Sequence, residues 1–139
     1  MTQKKLYLDE KKEKYCIVLL YDTKAEMQEA YKKKTFDKRK DGDLLGAHRA
    51  YEKWTPKRGG KEEISNETGT LFLSRENLGV GVVYHEIMHA ILWAWKHKKN
   101  KKQYPLVIKN MNEEEKILHS FSFAAIQFNK WHWKMIEGR

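Results

Sequence analysis

Tyr84-His85-Glu86-Ile87-Met88-His89-Ala90 places two histidines and a glutamate in the spacing His-Glu-x-x-His, inside the most apolar segment of the chain. On an α-helix residues four apart share a face, so both imidazoles can reach one Zn²⁺ ion while Glu86, the next residue round, meets a water bound there. An unliganded pair of histidines in so apolar a setting carries a desolvation cost that a metal removes. The surrounding segment, from about Leu78 to about Lys96, is apolar on nearly every side of its central turns, which predicts a helix buried between layers. The rest of the chain must supply those layers.

Immediately before this helix, Gly69-Thr70-Leu71-Phe72-Leu73-Ser74 reads as a strand, with Ser74 or Asn77 available as a helix cap. A second apolar run, Tyr15 to Tyr21, is rich in strand formers and suits a central strand covered on both faces. Between them, Asp22 or Thr23 can cap a short helix carrying Ala25, Met27, Ala30 and Tyr31, and Leu44 to Trp54 alternates as a strand with a bulge near Gly46. Thr55 to Glu67, with Pro56, Gly59 and Gly60, lacks an apolar period and predicts an exposed connection. Past Gln103-Tyr104-Pro105, Asn112 is a candidate N-cap for a last helix whose stripe is Ile117, Leu118, Phe121, Ala124, Ala125 and Phe128, with Trp131-His132-Trp133 packing on the body of the domain. The expectation is an α+β domain in which a three-stranded sheet packs on the buried motif helix and a second, C-terminal helix.

The 139 residues suit one domain spanning 1–139, with Ile136-Glu137-Gly138-Arg139 matching the factor Xa recognition sequence and set aside as a tag remnant. Hydrophobic residues at 40% exclude a disordered chain, and the single Cys16 excludes an internal disulfide framework. The charged start has no signal-like apolar core and no stretch is long enough to cross a bilayer, so a soluble, cytosolic protein with no membrane partner is expected. A net charge of +9, with basic clusters at Lys32-Lys33-Lys34, at Lys38-Arg39-Lys40 and from Lys96 to Lys102, offers a surface for nucleic acid or an acidic protein. Solvated surface is the plainer reading of the same clusters.

The order of strand, helix, strands, motif helix and second helix resembles the minimal core of the zincin metallopeptidases, most specifically over Gly69 to Ala90. The resemblance implies that His85 and His89 are zinc ligands and that Glu86 is the catalytic base. It also implies a polypeptide substrate laid in extended form against a strand, here Thr70, Leu71, Phe72 and Leu73. The metzincin branch would need a third histidine where Trp95 stands, and His97 falls two residues too late. The gluzincin branch takes a Glu from a following helix, and Glu113-Glu114-Glu115 opens one. Glu114 lies four residues before Leu118 and seven before Phe121, which places it on the core line and ranks it first, with Glu115 second and Glu113 solvated. The small, basic domain is similar to metallopeptidase-like proteins of phages and mobile elements. An oxyanion donor is also expected, from His119 or Tyr104, with Tyr84, Tyr51 and His48 as further candidates. The competing function is a basic binding protein that keeps zinc for stability and engages nucleic acid or an acidic partner. Glu86 favours the enzyme, because a structural zinc site has no use for a base beside its ligand.

Overall fold

Every residue from Thr68 to Ser74 is buried, as a strand lacking a polar face requires, and the segment lies inside a mixed sheet. The computed structural model describes residues 1–35, 44–50, 54–56, 62–64, 66–98 and 111–138. Its elements are β1 (Thr2–Tyr7), β2 (Tyr15–Tyr21), α1 (Lys24–Thr35), β3 (Gly46–Ala50), β4 (Trp54–Pro56), β5 (Glu62–Ile64), β6 (Glu67–Ser74), α2 (Val80–Lys98) and α3 (Met111–Glu137). The main sheet has four strands in the order β1-β2-β6-β3, with β2 and β6 parallel and both outer pairs antiparallel. The α+β class holds, and the expected count of three strands is corrected to four.

The extra strand is β1, drawn from the charged start. Only Leu6 in it is fully buried, and the remaining positions are half-buried or exposed, so an edge strand of this kind has almost no apolar period. The turn to β2 is closed by Asp9, whose carboxylate accepts from the Glu13 and Lys14 amides, while Lys12 takes the left-handed φ of 58°. The connection from Thr55 onwards is also corrected in part: β4 and β5 pair antiparallel as a small second sheet. No bulge interrupts β3, whose register against β6 runs unbroken from Gly46↔Leu73 to Ala50↔Gly69.

One face of the sheet is covered by α1. Thr23 caps it by accepting from the Glu26 amide, and Asp22 instead accepts from Arg75. Met27 is fully buried there beside Leu19, Phe72 and Ala47, and Tyr31 meets the Phe72 ring edge-on. The other face carries the larger core. Cys16, Val18, Leu20, Leu71 and Leu73 from the sheet meet Val83, Ile87, Ala90, Ile91 and Ala94 from α2, and Ile117, Ala124 and Phe128 from α3. The apolar α2 is thus sandwiched, and burial pushes the Cys16 thiol up to about 12. A single 3-10 turn, Arg75–Asn77, precedes α2, and Gly79 accepts the first amide bonds of the helix, from Val82 and Val83, so α2 begins two residues past the expected Leu78.

On α3 the buried line runs through Ile117, Ala124 and Phe128, whereas Leu118 is 45% exposed. Gln127 fastens this helix to β1 by accepting from the Tyr7 amide and donating to the Tyr7 carbonyl. At its end Trp131 packs on the core and on Phe128, His132 stacks near the same ring, and Trp133 is exposed. Among the described residues no helix is long and apolar enough to cross a membrane.

Candidate metal centre

His85 and His89 stand one turn apart on α2, both exposed, with their Nε2 atoms 3.1 Å apart and their rings nearly perpendicular at 84°. Two nitrogens that close can share one ion held at about 2.0–2.1 Å from each. The arrangement follows from the helix: Val83, Ile87, Ala90 and Ile91 turn the apolar arc onto the sheet, which leaves the His85–His89 line over the β3 side.

Glu86, one step round, is buried against β3. A Cβ on Gly46 would come within 3.0 Å of Val82 Cγ1 and 3.3 Å of Glu86 Cγ, so this glycine lets helix and edge strand approach. Burial raises the Glu86 carboxyl above its ordinary range, and the His85 charge partly offsets that. Burial lowers His89, with a smaller contribution from His85. A cleft of about 390 Å³ is lined by Tyr31, Leu44, Gly46, Ala47 and His48 on one side and His85, Glu86 and His89 on the other. A second hollow of about 260 Å³ adjoins it, sharing Gly46, His85 and Glu86.

His48, one of several oxyanion candidates in the sequence, also lines the cleft. Its ring lies parallel to that of His89 within 3°, with centroids 6.3 Å apart, and its Nε2 is buried without a hydrogen-bond partner among the described residues. Burial, then the neighbouring His89, lowers its pKa to about 4. Sequence spacing carries no signal for this meeting, since β3 and α2 are far apart along the chain.

Of the other expected residues, those that are described do not line this cleft. Glu114 and Glu115 are exposed in the first turn of α3, where acidic side chains suit the helix dipole. Leu118, which would have to face the core to bring Glu114 onto the core line, faces solvent. Among the described residues no group of three His, Cys, Asp or Glu is placed to hold a metal ion. His119 is exposed on α3, and the Tyr84 hydroxyl accepts from Asn129 on the α3 side of α2, with its ring edge-on to Phe121. Tyr104 and Tyr51 lie outside the described residues. The Thr70–Leu73 strand, expected to receive substrate, is hydrogen-bonded to β2 on one side and β3 on the other, so it offers no free edge. The edge beside the cleft is β3. No family model matches this chain, and no curated protein or solved structure does either.

Proposed function

We propose that this protein is a zinc-dependent metallopeptidase whose centre is the cleft between α2 and β3. The observation that carries the reading is the pairing of two accessible imidazoles, their Nε2 atoms 3.1 Å apart, with a shielded carboxylate on the same cleft wall. A structural metal site needs no such base. A bound zinc ion would supply Lewis acidity and bring a water's pKa towards about 7.

The chain's own groups account for the remainder. His85 and His89 present their Nε2 atoms side by side, and partial desolvation of His89 favours its neutral, ligating form. Glu86 takes a proton from the attacking water as its oxygen bonds to the scissile carbonyl carbon, and returns that proton to the leaving amine as the C–N bond breaks. A carboxyl raised by burial is suited to both halves of that exchange. Among the described residues β3 is the outermost strand on the cleft side, and an extended polypeptide added along it would run past the cleft.

The test is metal analysis of the purified protein followed by incubation with a peptide library. Cleavage that a chelator abolishes and added zinc restores is the expected result; a protein that binds no zinc overturns the reading.

A further inference from the structure

We propose that His48 is the third ligand of this centre, so that a bound ion is held by three imidazoles, one from β3 and two from α2. The inference rests on the zinc reading above and replaces the α3 carboxylate with a ligand from the sheet.

Three observations converge on His48. It lines the same cleft as His85, Glu86 and His89. Its ring centroid lies 6.3 Å from that of His89, against 4.6 Å for the His85–His89 pair. Two imidazoles on one ion, each bound at 2.0–2.1 Å, have centroids roughly 5–6 Å apart, so His48 stands on the order of 1 Å beyond ligating distance. Finally, its Nε2 is buried and unpartnered among the described residues, a costly arrangement for a polar atom that an ion would relieve.

Gly69 explains how the ring is held meanwhile. A Cβ there would lie 2.9 Å from His48 Nε2 and 2.7 Å from the Arg49 carbonyl oxygen, so the imidazole rests in a slot left by the missing side chain. As placed, the described groups do not form a set of three around one point. The slot is therefore the resting position, and binding draws the ring towards His85 and His89 by rotation between staggered side-chain conformers. Held by three imidazoles and no carboxylate, a zinc ion would keep its full positive charge and so would favour ionisation of water at the site.

Zinc affinity, measured by competition with a chromophoric chelator, decides the matter in His48→Phe, Glu114→Ala and His89→Ala. Phenylalanine fills the slot and carries no nitrogen; His48→Ala serves if His48→Phe does not fold, with circular dichroism checking each. Groups behind the ligands alone are worth 10–100-fold in affinity, so loss of a direct ligand should exceed about 100-fold. That loss in His48→Phe, with Glu114→Ala unchanged and with altered visible bands in the cobalt(II) form, is the expected result. Wild-type affinity in His48→Phe alongside a loss in His89→Ala overturns the role of His48 and leaves the zinc reading standing. Wild-type affinity in His89→Ala overturns the reading itself.

Discussion

Gly46 and Glu86 face each other across the seam between edge strand and motif helix with no room for a side chain on the glycine: a Cβ there would meet the glutamate's Cγ at 3.3 Å and Val82 Cγ1 at 3.0 Å. The position of the candidate base therefore depends on a side chain that is absent. In Gly46→Ala, Val82 must give way, and its branched side chain has few alternative conformers. Stability should fall by about 1 kcal/mol. At Gly69 the nearest obstacle is backbone, the Arg49 carbonyl at 2.7 Å, which cannot swing aside. Gly69→Ala should therefore cost more, roughly 2–3 kcal/mol. Urea midpoints of the two variants check the order, and a Gly69→Ala protein as stable as the wild type contradicts it.

Replacing Glu86 by Gln keeps shape and removes the proton acceptor. Zinc content and melting temperature should stay close to wild type while cleavage drops by about 10²–10⁴-fold. A variant that cleaves at the wild-type rate removes Glu86 from the mechanism.

The half-buried His48, its Nε2 shielded from solvent, predicts a pH dependence of the metal-free protein. Its pKa is lowered from 6.5 to about 4, so between those values the unfolded chain binds a proton that the folded chain refuses. The contribution is complete above pH 6.5 and is lost as pH falls through about 4, in total on the order of 3 kcal/mol. Unfolding free energies of chelator-treated protein should decline over that window. His48→Phe should flatten this part of the decline, and an unchanged slope would mean that another group produces it.

Ile117 is 5% exposed and Leu118 45% exposed, although the two are adjacent and equally apolar. Truncating the first to Ala should cost about 2–5 kcal/mol and the second about 0.5 kcal/mol or less. Equal losses would show that α3 is rotated from the phase described.

These two residues also show where sequence reading reached its limit. A stripe containing both Ile117 and Leu118 fits two helix phases, and only the phase through Leu118 puts Glu114 on the core line. His85, Glu86 and His89 were legible because a helix fixes their relation within one turn. His48 was legible only as a member of a list, since its approach to His89 depends on how β3 crosses the helix. β1 escaped notice because an edge strand buries a single residue, Leu6, among lysines. Gly46 suggested a bulge because a glycine needed by a neighbour looks the same, in a string of letters, as one needed by its own backbone.

The parallel pairing of β2 with β6 bears on the order in which the molecule assembles. β1 and β2 adjoin along the chain and can zip locally, whereas the β2–β6 seam joins residues such as Tyr15 and Thr68, which are 53 positions apart. Closing so long a loop costs entropy before any contact returns it, which makes this seam the slow, late event in folding. Cys16 lies on β2 beside that seam and is wholly enclosed. Its thiol therefore becomes reactive only when the centre of the sheet parts, so the rate at which a thiol reagent reaches it reports how often the seam opens.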